Sequence, residues 1–188
     1  MEKKIFIKNM VCSRCAKVIQ AEVNSLGIEL KHIELGSIIY HEKSDDDFHR
    51  LKKVLRQNDF DIILSQDQQL AEQVKLELII LLQILPLQLT GALSKYLEKK
   101  LNLEYSKISK LFSATEHITV EKYFIKLKME KVKELIQLQE NNFTEISQLL
   151  DYSSVNHLSR QFKTETGMSL TVHKKNLSIE RHSLDQIR

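Results

Sequence analysis

The sequence is short of chain breakers. Its 188 residues contain one proline, four glycines and no tryptophan. That shortage argues against a Gly/Pro-rich barrel or a low-complexity linker and favours long helices. Cysteine is scarce too. Two residues, three positions apart, cannot staple a disulfide scaffold. Neither sign of charge dominates, since 28 basic residues stand against 25 acidic ones. The net charge of +3 and a pI near 8.7 permit a nucleic-acid partner without requiring one. What is present is enough to fold. With 42% hydrophobic and 28% charged residues the chain can bury a core, and its length suits one large or two modest domains.

The N-terminus, MEKKIFIKNM, lacks the long apolar stretch of a signal peptide. The longest apolar run, from Leu76 to Leu93, approaches the roughly 18 residues needed to span a bilayer. Glu77, Gln83, Pro86 and Gln88 interrupt it, so a buried helix or dimer seam is the better reading and no membrane is expected. Val74, Leu78, Leu81 and Leu85 fall at a/d spacing over about two heptads, which suggests a homodimer through residues 66–90. The expected location is the cytoplasm, where paired cysteines stay reduced.

Three parts follow one another. Residues 1–65 carry eleven basic and ten acidic groups, residues 66–90 one and three, and residues 91–188 sixteen and twelve. Positive charge is therefore concentrated at the C-terminal end. The first part reads strand, helix, strand, strand, helix, strand. KKIFIKN puts Ile5 and Ile7 on one face, and a helix from about Arg14 to Leu26 follows with Val18, Ile19, Ala21, Val23 and Leu26 as its apolar positions. IELKHIEL, SIIYHE and DFDIIL are the remaining strands, with a helix from about Phe48 to Asn58 led by the acidic run at 45–47. The predicted fold class is α+β: a ferredoxin-like βαββαβ domain over 1–65, a connecting helix over 66–90, and an all-α domain over 91–188. That last domain repeats one helix, short turn, helix unit, first at about 93–112 and again at 143–162, joined by a helix from about Thr119 to Gln139.

Cys12-Ser13-Arg14-Cys15 lies between the first strand and the first helix. This spacing can turn both sulfurs toward one ion, and a helix start favours thiolate. Two soft donors suit Cu(I), or another soft metal ion if further ligands join. The nearest histidines, His32 and His41, fall on predicted strands, which makes a closed four-ligand zinc site in one chain improbable. No organic cofactor is expected. KNMVCSRC, the βαββαβ order and QNDFDIIL together resemble a heavy-metal-associated (HMA) domain over roughly residues 1–65. The resemblance implies that Cys12 and Cys15 bind metal, that Met10 packs in the core, and that Phe60 closes the site from beneath. Asn9, Val11 and Asp59 stand where that family usually has Gly, Thr and Gly. A pair that binds nothing, or that forms a reversible disulfide, is the alternative.

In the second repeat Ile146, Leu149, Leu150, Tyr152, Leu158 and Phe162 form an apolar spine. This leaves Ser154, Val155, Asn156, Ser159, Arg160 and Lys163 toward DNA or solvent. In the first, Leu97, Leu101, Ile108, Leu111 and Phe112 leave Tyr105, Ser106, Lys107, Ser109 and Lys110 outside. Asn pairs with adenine and Arg with guanine, so Asn156 and Arg160 are the candidate base readers. FTEISQLLDYSSVNHLSRQFKTETGMSL resembles the AraC-type transcription regulators through Ile146, Ser153, Ser159, Arg160, Phe162, Lys163 and Gly167. The first repeat matches more loosely, with Tyr123 and Lys128 near that family's Tyr and Arg. Glu98, His117, Ser147, Asp151 and Leu170 depart from the usual Ala, Gly, Ala, Gly and Pro, and Ser113 from the usual Lys.

No glycine-rich phosphate loop, HExxH or GxSxG occurs, so the chain is not expected to be an enzyme. The expectation is a sequence-specific DNA-binding transcription regulator of double-stranded DNA that responds to a soft, copper-like ion through Cys12 and Cys15, supplied by a metal donor protein. The alternatives are a metal-delivery or metal-buffering protein whose helical part docks proteins, and a DNA-binding regulator whose first domain no longer binds metal.

Overall fold

A computed structural model describes residues 1–176 except 88 and 90. The chain divides into two compact bodies, Met1–Leu76 and Glu77–Arg188. In the first, β1 (Glu2–Lys8), α1 (Ser13–Ser25), β2 (Glu29–Glu34), β3 (Ser37–His41), α2 (Asp45–Gln57) and β4 (Asp61–Ile63) follow the expected order. Every neighbour in the sheet is antiparallel, in the order β2-β3-β1-β4. Alternation in β1 sends Ile5 and Ile7 into a core shared with Ile19 and Val23 of α1 and with Leu51 and Leu55 of α2.

Local differences from the sequence reading have physical causes. Of the five apolar positions expected on α1, Val18 and Ala21 face solvent and only Ile19 and Val23 are fully buried. The register of β2 shifts between Leu30 and His32. This irregularity lets Leu30 and Ile33, three apart, both stay half-buried, where strict alternation would oppose them. Helix α2 starts before Phe48, at Asp45, because Ser44 is its true cap. Asp47 receives the Lys43 and Ser44 N–H groups at 2.8 and 3.0 Å in a capping box.

Helix α3 (Gln66–Gln83) begins in the first body and ends in the second. It stops short of the expected residue 90. Pro86 offers no N–H and disfavours helix in the residue before it, and the chain instead bonds Leu87 N–H to the Leu149 carbonyl at 2.7 Å. The a/d stripe also differs from its expected use. Val74 and Leu78 are fully buried within one chain and Leu81 nearly so, so that face is not free to be a dimer seam. Among the described residues no helix is long and apolar enough to cross a membrane.

The second body continues with α4 (Leu93–Leu101), α5 (Tyr105–Glu116), α6 (Val120–Leu138), α7 (Phe143–Leu149), α8 (Val155–Thr166) and α9 (Leu170–Lys175). Helix α6 is its axis and buries Val120, Tyr123, Phe124, Leu127, Val132 and Ile136 among others. Helices α5 and α8 each rest on a ring set edge-on. Phe112 of α5 meets Tyr123 at 5.5 Å between centroids, and Phe162 of α8 meets His173 of α9 at 5.4 Å.

His173 is 1% exposed, and among the described residues neither ring nitrogen has a hydrogen-bond partner. Burial lowers its pKa below 6.5, Lys133 lowers it further, and Glu130 opposes them. The unfolded chain therefore binds the proton more readily than the folded one. Stability is complete above about pH 6.5 and is lost as pH falls through the window below it. The thermal midpoint of the second body should fall between pH 7 and pH 5. His173→Phe should flatten that fall and, by removing two polar ring atoms that have no partner among the described residues, raise stability at pH 7 by about 1 kcal/mol. Calorimetry at a series of pH values checks both.

Candidate nucleic-acid interface and thiol pair

The second helix pair is built by its caps. Asn142 accepts the Thr144 and Glu145 N–H groups at 2.9 and 3.0 Å, while Glu145 accepts the Asn142 N–H at 2.7 Å. Helix α7 then buries Ile146 and ends at Leu150 and a left-handed Asp151. Ser154 caps α8 by accepting the His157 N–H at 3.1 Å. Leu158 and Phe162 are fully buried. With these turned inward, Asn156, Arg160 and Lys163 are exposed, and Val155 and Ser159 half-exposed, on the outer face. In the first pair, Ile108 and Phe112 turn inward while Ser106, Lys107 and Lys110 are exposed and Ser109 half-exposed. The nine candidate residues thus lie on the outward faces of α5 and α8.

The sequence reading set Lys128 near the AraC-type Arg but did not foresee that it braces the second turn. Lys128 of α6 holds its ammonium 4.0 Å from the Tyr152 ring centroid and 5.8 Å from that of Phe124. Burial brings its pKa down to about 8, with the Asp151 carboxylate opposing. The Tyr152 hydroxyl donates to Gln161 Oε1 at 2.9 Å, so one aromatic ring ties α6 to α8. The residue type was visible in sequence, but the ring above it was not.

The departures from the AraC-type pattern have structural counterparts. His117 and Asp151 adopt φ of 57°, the left-handed region where glycine is free of cost. Glu98 reaches across the turn and accepts the Tyr105 N–H at 2.8 Å, a cap that no alanine could supply. Buried Ser147 donates to the Thr144 carbonyl at 2.7 Å. Leu170 is buried at the start of α9.

In the first body Cys12 is the N-cap of α1, and its sulfur accepts the Cys15 N–H at 3.4 Å. The two sulfurs are 3.0 Å apart, both half-buried and unbridged. Burial pushes the Cys12 thiol up, but hydrogen bonds from Cys15 and the backbone, with the Arg14 charge, outweigh it and leave the thiol below its usual value. Burial and the neighbouring Cys12 raise Cys15. Met10 is 1% exposed and Phe60 8%, both in the core beside this loop. Asn9 and Asp59, which replace glycines of the HMA pattern, both have positive φ, and Asn9 Nδ2 donates to the Asp59 carbonyl at 3.0 Å. Asn9, Met10 and Val11 also line a partly open cleft whose other walls include Gly36 and, from α3, Gln69, Gln73 and Leu76. Among the described residues no cluster of three or more His, Cys, Asp or Glu is placed to hold a metal.

Residues 97–176 match the family model of a helix-turn-helix domain, somewhat under half of the chain. A solved structure, the C-terminal domain of AraT, a response regulator from Geobacillus stearothermophilus, superposes with a TM-score of 0.52 at 18% identity. The match covers 63% of this chain and 94% of that one, and at this identity it is a likeness of fold. No curated protein matches the chain.

Two substitutions test this architecture by their effect on the unfolding midpoint. Glu98→Ala, which removes a helix cap, should cost about 1 kcal/mol. His117→Gly, which relieves a left-handed side chain, should add roughly 0.5–1 kcal/mol.

Proposed function

We propose that the chain is a DNA-binding transcription regulator of the AraC type, acting on double-stranded DNA in the cytoplasm and carrying no enzymatic activity. The observation that carries this reading is the outer face of α8. A fully buried Leu158 and Phe162 fix the helix, and Asn156, Arg160 and Lys163 point outward from it. The helix-turn-helix match over 97–176 supports the same reading. A helix so presented fits a major groove, with arginine bonding the guanine edge and asparagine the adenine edge. Binding measured across a salt series should weaken steeply as salt rises. Arg160→Ala should cost ~1–3 kcal/mol at one base position and leave the other positions alone. An even loss over all sequences would reassign Arg160 to a phosphate.

A second reading concerns the first body. Its βαββαβ order and sheet order suit a ferredoxin-like domain. Its paired sulfurs, buried Met10 and buried Phe60 suit the HMA resemblance. Cys12 and Cys15 would hold a soft ion such as Cu(I), taken from a donor protein, as a two-sulfur site. The loop that precedes Cys12 shares its cleft with α3, so a change at the sulfurs has a packed neighbour on which to act. DNA affinity measured with and without Cu(I), for wild type and for Cys12→Ser/Cys15→Ser, should change only when both metal and thiols are present. Four identical affinities would remove metal control and leave DNA binding standing. Metal transfer to a partner with no salt-sensitive DNA binding would favour a delivery or buffering protein.

A further inference from the structure

The two helix pairs of the second body are copies of one scaffold, offset by about fifty residues. Leu97 and Ile146, Ile108 and Leu158, and Phe112 and Phe162 are fully buried counterparts. Left-handed His117 and Gly167 close α5 and α8, and Thr119 and Ser169 cap the helices that follow. The edge-on ring pairs beneath α5 and α8 match in distance, at 5.5 and 5.4 Å, and in interplanar angle, at 61° and 64°. Equivalent positions of α5 and α8 are therefore aimed the same way, and what distinguishes them is the chemistry they carry.

Two differences point in one direction. Asn156 and Arg160 of α8 correspond to Ser106 and Lys110 of α5. An amide and a planar guanidinium can each make two parallel bonds to one base edge. A serine hydroxyl accepts any base, and an ammonium is a compact charge without a fixed fork. The second difference is electrostatic. Three glutamates surround the first turn of α5. Glu98 bonds the Tyr105 N–H, Glu104 is the N-cap, and Glu121 accepts the Tyr105 hydroxyl. Each is at least partly exposed. Burial raises Glu121, but the Tyr105 hydrogen bond outweighs it and keeps the carboxyl below its usual value. The corresponding residues around α8 are Ser147, Ser154 and Thr171, all neutral, and the one carboxylate in the turn before α8, Asp151, faces the Lys128 ammonium. Duplex DNA carries one negative charge per ~1.7 Å of axis, so three carboxylates at the mouth of α5 oppose close approach within a Debye length of ~8 Å.

We infer that recognition is one-sided: α8 alone reads base edges, while α5 rests on the phosphate backbone through Lys107 and Lys110 with no base preference. This rests on the DNA-binding reading and specifies the kind of site it takes. The target is a duplex with one short conserved block containing a guanine and an adenine, flanked on one side by a turn of unrestricted sequence.

Selection from a random duplex pool with the full chain tests this. One conserved block is expected, and Asn156→Ala or Arg160→Ala should degrade it. Lys107→Ala and Lys110→Ala should return the same block, weaken all sequences alike, and lower the salt slope by about one each. Glu104→Ser removes one carboxylate and installs a better cap, so it should fold and bind about threefold tighter. Glu121→Gln, at a different element, should act in the same direction. Two equally conserved blocks about 10 base pairs apart would overturn the inference. So would a changed base preference in Lys110→Ala, or unaltered affinity in both glutamate variants. Absence of any salt-sensitive duplex binding by the wild-type chain would refute the DNA-binding reading itself.

Discussion

Everything that α5 and α8 can present depends on a ring packed edge-on beneath each of them. A recognition helix is useful only if its rotation about its own axis is fixed, because a turn of a few tens of degrees exchanges its outer side chains. Phe112 against Tyr123, and Phe162 against His173, supply that fixation. Each ring is large, nearly or fully buried, and held at an angle that a rotated helix could not keep. The two contacts are made differently. Tyr123 belongs to the long α6, and His173 to the short α9. Helix α8 gains a further constraint from Lys128 and Tyr152, which link it to α6 as well.

The shortage of glycine has a consequence that runs through both bodies. Turns that reverse the chain at a helix end commonly need a left-handed residue. Among the described residues, four glycines and six others take positive φ: Asn9, Asp59, Asn102, His117, Gln139 and Asp151. Four of the six are Asn or Asp at loop or helix-end positions, where those side chains are tolerated best, and the other two, His117 and Gln139, accept a cost of about 1 kcal/mol each. Scarce glycine thus did not mean few turns, and the nine described helices are mostly of ordinary length.

Much of this was legible in the sequence because it follows from periodicity. Alternation in KKIFIKN, the 3.6-residue spacing of α6, and the repeated helix pairs depend on which residues are apolar, and burial followed those patterns. The outward position of Asn156, Arg160 and Lys163 was legible for the same reason, being the complement of a buried stripe. What was not legible depended on partners far along the chain. Glu98 read as a misplaced charge until Tyr105 N–H appeared beside it. Lys128 read as a counterpart of the AraC-type Arg, and nothing in the sequence set its ammonium over the Tyr152 ring. The stripe of Val74 and Leu78 was correctly apolar, but spacing does not say whether the surface covering it belongs to the same chain or to another.

The Cys12 sulfur occupies two positions at once, half of a thiol pair and the cap of a helix. A side chain that caps a helix is part of the folded state of its first turn, and that turn contains Cys15 itself. Whatever draws on the sulfur's lone pairs, whether an ion, an alkylating agent or an oxidant, competes with the Cys15 N–H for them. Chemistry at the pair therefore cannot be silent in the backbone. It is written into the order of the first turn of α1, one residue beyond the Asn9–Val11 loop that walls the cleft beside α3.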